Sequence, residues 1–145
     1  MPTGRFVEVV RFPVENVSPE AQVNVREVPA YLREALDGAG ADLDDVDLMA
    51  AEIVTNAVRH TASGRPGGQV WAAVIATDEQ VRVEVIDQSE ARSEPWIPPY
   101  PVLSGRGLLI VQELAARWDW SRDRNGYTTV WFQVPRTGGA AGWPR

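Results

Sequence analysis

One segment, residues 42–61, constrains the fold of this chain more than any other part of the sequence. Its apolar side chains recur at about 100° per residue and form a single stripe: Leu43, Val46, Ala50, Ile53, Val54, Ala57 and Val58. Acidic residues crowd the first turn, whereas Arg59 and His60 stand in the last, which suits the two ends of a helix dipole. The pattern predicts one long amphipathic helix, whose apolar stripe requires a second layer to cover it.

Two segments with strand patterns follow, at residues 69–77 and 80–87. Valines alternate with charged residues in the second of them, and Asp78-Glu79 forms a short turn between the two, so an antiparallel hairpin is predicted. Other patterns predict a strand over residues 6–13, a helix starting at Ser18-Pro19, helices over 29–37 and 105–118, and a hairpin over 118–122 and 127–134 around Asn125-Gly126.

This order of elements predicts an α/β two-layer sandwich, with a mainly antiparallel mixed sheet and helices on one face. Residues 1–136 are predicted to form one domain, and residues 137–145 a flexible, glycine-rich tail. Among the tryptophans, Trp71 and Trp131 occupy strand positions that we expect in the core. Residues 88–104 contain four prolines and no helical period, and a loop of that length is usually functional.

Composition excludes several classes of chemistry. The 145 residues include no cysteine and one histidine, which excludes disulfides, thiolate zinc sites and sites with several histidines. All basic residues are arginine, so a Walker A lysine is excluded as well. The net charge of −6 argues against binding to nucleic acid. Without a long apolar run or an apolar leader, we expect neither a membrane span nor secretion, and therefore a cytoplasmic protein.

The polar side of the long helix is the first candidate site. Glu52, Asn56 and His60 are spaced one turn apart and therefore stack along one side of the helix. A carboxylate beside a carboxamide offers the oxygen ligands that Mg²⁺ prefers. The alternative interpretation is an ordinary solvated polar face.

Two further candidates lie at element ends. Asp87 ends a strand, where its carboxylate can accept a hydrogen bond from an exocyclic amine such as that of adenine; the alternative is a turn cap. Gly105, Arg106 and Gly107 open a helix, where free N–H groups and a guanidinium together favour an anion. The alternative there is a plain junction between a loop and a helix. The segment from Gly126 to Phe132 reads by itself as a hairpin strand.

Taken in order, these segments resemble the GHKL (Bergerat-fold) ATPases, and in particular the bacterial anti-sigma regulatory factors with serine kinase activity and their actinobacterial relatives. The motif E-I-V-T-N-A-V-R-H-T is similar to the family's N-box, and Asp87 stands in the place of its adenine-reading aspartate. The motif G-R-G-L-L-I-V resembles the second glycine box, and T-T-V-W-F resembles the closing strand. The resemblance covers about residues 26–134.

The resemblance implies a role for each matching residue. Asn56 would ligate Mg²⁺ that bridges the phosphates of ATP, and Glu52 would act as the general base. Arg59 and His60 would lie near the phosphates or the lid formed by residues 88–104.

At the other end of the nucleotide, Asp87 would accept a hydrogen bond from adenine N6, with Thr128 or Thr129 supporting it through a water. The remaining ATP-binding residues implied belong to the second glycine box: Gly105, Arg106, Gly107 and Leu108.

The function so implied is that of an ATP-binding anti-sigma factor and serine/threonine kinase. It would phosphorylate an anti-sigma-antagonist protein, control a sigma factor and form a homodimer. One departure opens alternatives, because Asp87-Gln88-Ser89 lacks the family's glycine two residues after the aspartate. A nucleotide-dependent interaction module without kinase activity is one such alternative, and a scaffold that binds no nucleotide is another.

Overall fold

A computed structural model describes residues 6–13, 26–60, 69–88, 106–137 and 143–144, except for the side chains of 11–13, 58–60 and 106–108. Within these ranges the elements are β1 (Phe6–Pro13), α1 (Glu27–Ala35), α2 (Leu43–His60), β2 (Gln69–Ala76), β3 (Gln80–Asp87), α3 (Arg106–Leu114), β4 (Arg117–Arg122) and β5 (Thr128–Pro135). The predicted helix start at Ser18-Pro19, the loop beyond Gln88, Trp96 and Gly105 lie outside the described residues.

The five strands form one sheet in the order β1-β2-β3-β5-β4. Every pairing between them is antiparallel, including the predicted hairpin of β2 and β3. Helix α2 packs against α1, α3 and β3. The predicted α/β sandwich with helices on one face of the sheet is therefore confirmed, with an antiparallel sheet throughout the described strands.

Alternation along the strands decides which side chains face the helices. In β3, Val81, Val83 and Val85 are buried while Arg82 and Glu84 between them are only half-buried. The core lies between this face and the helices, and its largest buried side chains are Phe132, Leu32, Leu36, Met49, Val28, Val46, Val70, Val74, Val81, Val83, Val85 and Val111. Burial of these apolar side chains is the main favourable term in the stability of the fold.

The prediction that Trp71 and Trp131 lie in the core is wrong. Both are half-buried on the face of the sheet turned away from the helices, because their even-numbered neighbours take the inner positions. The Trp71 ring stacks on Tyr127 with centroids 5.5 Å apart, and the Arg82 guanidinium lies 3.9 Å from the centre of the Trp131 ring. Periodicity could not decide the face, since apolar residues stand at both odd and even positions of β2.

Two helix boundaries differ from the prediction. Helix α1 begins at Glu27, which makes Pro29 its third residue; proline is tolerated there because first-turn N–H groups have no partner within the helix. Helix α3 ends at Leu114 and not at Trp118. The backbone N–H of Ala116 already donates to Gln133 at 2.9 Å, so pairing with β5 replaces the helical hydrogen bonds.

Phe6 of β1 and Trp143 meet beside the end of α1. The Trp143 indole donates to the carbonyl of Ala35 at 3.0 Å and packs edge-on against Phe6. Trp143 therefore lies against the domain, whereas residues 138–142 of the predicted flexible tail lie outside the described ranges. Close by, burial and then the neighbouring Glu8 carboxylate raise the pKa of Tyr31 above its ordinary value.

Among the helices that the structure describes, none combines the length and the apolar character needed to cross a membrane.

Candidate functional site

Two polar residues are buried at one end of the sheet. Asp87 is 7% exposed and Thr128 is 2% exposed, and among the described residues these are the buried polar side chains. They stand directly opposite each other at the end of β3 and the start of β5. Both continue the inner row of their strand, so they face the helix layer. A carboxylate is rarely buried in an otherwise apolar core, so this pair marks a site.

An arginine extends this row onto a third strand. Arg122 of β4 stands opposite Thr128, and its Nε lies 3.4 Å from the Thr128 hydroxyl oxygen. The sequence prediction missed Arg122. The sequence contains one hint, because Trp118, Trp120 and Arg122 are spaced two residues apart and therefore share one face of a strand. In the structure this is the face on which Trp118 and Trp120 pack against the core.

The neighbouring polar residues do not share this row. Thr129 pairs with Ile86 on the opposite face of the sheet, so of the two predicted threonines only Thr128 lies beside Asp87. Gln88 accepts a hydrogen bond from the backbone N–H of Gln69 at 2.7 Å, which joins the end of β3 to the start of β2.

The residues that line a cavity of about 560 Å³ show in which direction the helices run along the sheet. The cavity lies at the end of the sheet opposite to Asp87 and Thr128. Its lining includes the start of α2, the end of α3 and the end of β5: Asp42, Asp45, Leu114, Val134 and Pro135. Helix α2 has 18 residues and is about 27 Å long, close to the ~26 Å of an eight-residue strand. Because α2 starts and α3 ends at this cavity, the last turns of α2 and the first turn of α3 lie toward the end of the sheet that holds Asp87 and Thr128.

The candidate residues of α2 lie along the edge of its buried stripe. Ile53, Val54 and Ala57 are buried, whereas Glu52 and Asn56 beside them are half-buried. These two side chains thus lie between the core and the fully exposed side of the helix. Arg59 and His60 occupy the last turn, and the structure describes their backbone only.

The predicted glycine box is located at the start of α3, which begins at Arg106. First-turn backbone N–H groups have no acceptor within a helix, and helix starts of this kind commonly bind anions in proteins. The structure describes the backbone of Arg106, Gly107 and Leu108 but not their side chains.

The donor set of α2 fits Mg²⁺ held jointly with a phosphate. Within the described ranges, no group of three His, Cys, Asp or Glu side chains could hold a metal. Magnesium is usually bound by one or two protein oxygens together with waters and phosphate oxygens, and does not require an all-protein cage. Asn56, with Glu52 one turn away, supplies oxygens of this kind.

Comparison with protein families gives one match that spans most of the chain. A family model described as a histidine kinase-like ATPase domain matches residues 17–134, a range that includes α2, the Asp87–Thr128 pair and the start of α3. No curated protein matches the chain.

Proposed function

The chain belongs to the family of histidine kinase-like ATPase domains, and from that premise we propose that it is an ATP-dependent regulatory protein kinase of the anti-sigma type. Its substrate would be a serine or threonine of an anti-sigma-antagonist protein, and its regulated partner a sigma factor. The family supports ATP binding, and the finer assignment draws on the resemblance of the N-box and the second glycine box.

The observation that carries the proposal is the buried Asp87–Thr128 pair. A carboxylate can accept a hydrogen bond from the exocyclic amine of adenine, and a threonine hydroxyl can donate one to a ring nitrogen. The flanking residues Val85 and Val130 are apolar and buried, which suits the faces of an aromatic base. A base held there is surrounded by the mixture of apolar walls and few placed polar groups that is typical of ligand sites.

The phosphate end is assigned to the last turns of α2 and the first turn of α3. Backbone N–H groups at the start of α3, with Arg106, would hold phosphate oxygens, and Asn56 would hold Mg²⁺. The ion supplies charge neutralisation, which this site needs because the protein itself carries a net charge of −6.

Glu52 is assigned the proton transfer. Its carboxylate would accept the proton of the substrate hydroxyl while that oxygen forms a bond to the γ-phosphorus of ATP. The bond between this phosphorus and the bridging oxygen breaks, and ADP leaves with the electron pair. Half-burial keeps Glu52 close to the apolar core and still open to a second protein.

Protein partners have a surface available on the open face of the sheet. Val7 and Val9 of β1 are 51% and 60% exposed, and Trp71 and Trp131 lie on the same face. We include the antagonist protein, the sigma factor and a second copy of the chain among the partners proposed.

Thermal unfolding with and without Mg-ATP tests nucleotide binding. A ligand at 100 times its Kd adds about 2.7 kcal/mol to the free energy of unfolding, which raises the Tm by several degrees. An unchanged Tm at millimolar Mg-ATP would contradict the proposal and favour the scaffold that binds no nucleotide.

Phosphate transfer to candidate antagonist proteins then tests the kinase assignment. Glu52→Gln should abolish transfer and keep ATP affinity within about threefold, since only the base is lost. Glu113→Gln is the matched control, because Glu113 is exposed on α3, and it should keep full transfer.

A nucleotide-dependent interaction module without kinase activity is the second candidate. Gln88 follows the adenine-reading aspartate, and its side chain bonds to the backbone of β2. The glycine that the family has two residues after this aspartate is replaced by Ser89. Under this candidate, ATP binds and Glu52→Gln leaves partner binding unchanged, while no phosphate is transferred by any variant.

A further inference from the structure

Strand β1 forms an edge of the sheet and lacks the usual protection of an edge strand. It pairs with β2 along all eight of its residues, and no other strand among the described residues pairs with its outer side. In an antiparallel edge strand every second residue directs its N–H and C=O groups outward, where they can pair with a further strand. Val7 and Val9 are 51% and 60% exposed, so apolar side chains border this edge.

The opposite edge of the sheet differs in both length and side chains. Strand β4 has six residues, and the side chains of Arg117, Asp119 and Ser121 are exposed on it. A short edge strand and charged side chains are two common features by which proteins prevent the addition of a further strand. The structure therefore favours strand addition at β1 and disfavours it at β4.

The distribution of charge favours a second copy of the chain as the partner at β1. The whole chain carries a net charge of −6, whereas β1 contains one acidic and one basic residue, Glu8 and Arg11, and is neutral. By contrast, four aspartates stand within residues 42–47 at the start of α2. Two acidic copies that meet along β1 therefore repel each other less than two copies that meet at this helix start.

The residues of β1 also select one register for such a pair. A two-fold axis perpendicular to the sheet makes the two strands antiparallel and places residues of the same face opposite each other. A register centred on Glu8 would bring two carboxylates together, which destabilises a pair. A register centred on Val10 would place Val7 opposite Pro13, which has no N–H to donate. A register centred on Val9 avoids both and brings two exposed valines together.

We propose that two copies of the chain associate through β1, in the antiparallel register centred on Val9, so that their sheets join into one. The inference rests on the proposed function only in that a second copy is among the partners proposed there, and it assigns a surface to that partner. Pairing of two strand segments buries less area than a standard protein interface. We therefore expect a micromolar and not a nanomolar affinity.

Cross-linking tests this register, because the chain has no cysteine of its own. Directly opposed Cβ atoms in antiparallel strands lie about 4.5–5.5 Å apart, so a small shift brings them within reach of a disulfide. Under oxidising conditions Val9→Cys should link more than about half of the chains into covalent dimers. Ser121→Cys is the matched control on the protected edge, and it should link less than about a tenth of them.

Analytical ultracentrifugation tests the association without an engineered bond. The average mass of the wild type should rise from one chain toward two as its concentration is raised to about 500 µM. Val9→Lys should stay monomeric, because a charge at the centre of the edge opposes pairing, and Ser121→Lys should behave like the wild type. If Val9→Lys does not fold, as judged by circular dichroism, Val9→Thr takes its place, since threonine keeps the strand preference and removes the apolar contact.

The outcomes separate this inference from the proposed function. A wild type that stays monomeric, or equal cross-linking at positions 9 and 121, would overturn the inference. A dimer that survives Val9→Lys and is lost in Trp131→Ala would overturn it too, because the interface would then be the open face of the sheet. The Tm shift with Mg-ATP is read separately: a shift in a monomeric wild type leaves the proposed function intact, and an unchanged Tm in a dimeric wild type overturns nucleotide binding alone.

Discussion

Two adjacent threonines of β5 show that the face of the strand determines the burial and the neighbours of a residue. Thr128 is buried beside Asp87 and Arg122, whereas Thr129 is half-buried on the open face opposite Ile86. Their side chains are identical and their positions differ by one residue, which in a strand reverses the side of the sheet. The pair therefore offers a comparison in which chemistry is constant and only location changes.

Replacement of each threonine by valine turns this comparison into a prediction. Thr128→Val should weaken ATP binding by about tenfold, because the variant keeps the shape but removes the hydroxyl between Arg122 and the base. Thr129→Val should change the Kd by less than twofold. Titration calorimetry on both variants gives the two values, and equal effects would place the base elsewhere.

Of the residues in the candidate site, Asp87 could be predicted from the sequence and Arg122 could not. Asp87 could be identified because it ends a strand whose alternation is regular, and because its neighbourhood resembles a family motif. Arg122 could not, because its importance comes from the register of β4 against β5, and that register is a contact between residues of separate strands. Only its position two residues after Trp120 hinted at the inner face.

Among the elements, the turn between β4 and β5 matters most for this site, because Arg122 and Thr128 are the strand residues that border it. Asp123 organises the turn: its carboxylate accepts from the N–H groups of Asn125 and Tyr127 at 2.8 and 3.0 Å. Gly126 has a φ of 83°, whereas within the described ranges no other residue type has a positive φ. The Asp123 N–H donates to the Tyr127 carbonyl at 2.9 Å and so extends the hairpin by one pair beyond Arg122 and Thr128. The loop inside that pair has three residues, 124–126, and ends in a left-handed glycine, unlike the two-residue turn that Asn-Gly usually forms.

Substitution in this turn gives a prediction at the scale of the element. Gly126→Ala should lower the free energy of unfolding by about 1–2 kcal/mol, because a Cβ at this φ is strained. Asn125→Ala is the control; its φ is negative and its backbone N–H is kept, so we expect less than about 0.5 kcal/mol. Urea denaturation measures both, and an equal loss in the two variants would show that the glycine conformation is not the cause.

Elements with a strong local signal were predicted well, and elements defined by distant contacts were not. Helix α2 and strand β3 follow from periodicity within their own residues. The end of α3 does not, because the hydrogen bond from Ala116 to Gln133 competes with the last helical turn. The outward position of Trp131 likewise follows from the register that pairs β5 with β3, which turns the even-numbered residues of β5 toward the helices.

At the scale of the molecule, residues from the first strand and from the last part of the chain contact each other beside the end of α1. Arg136 follows β5 and donates through Nε to the carbonyl of Ala39 at 2.7 Å. Its guanidinium also lies 4.6 Å from the centre of the Trp143 ring, which in turn contacts Phe6 of β1. One aromatic side chain thus joins the edge strand, the end of α1 and the residue that follows the last strand.

Loss of the Trp143 side chain should therefore lower the free energy of unfolding of the whole domain. Trp143→Ala should reduce the free energy of unfolding by about 2 kcal/mol, below the 3–5 kcal/mol of a fully buried tryptophan, because Trp143 is only half-buried. Trp143→Phe should cost about half as much, since a ring remains against Phe6 while the donor to Ala35 is lost. Urea denaturation measures both, and the ATP affinity should stay unchanged because the tryptophan lies apart from the Asp87–Thr128 pair. If Trp143→Ala unfolds like the wild type, then the last residues do not stabilise the domain and the flexible tail predicted from the sequence extends through Trp143.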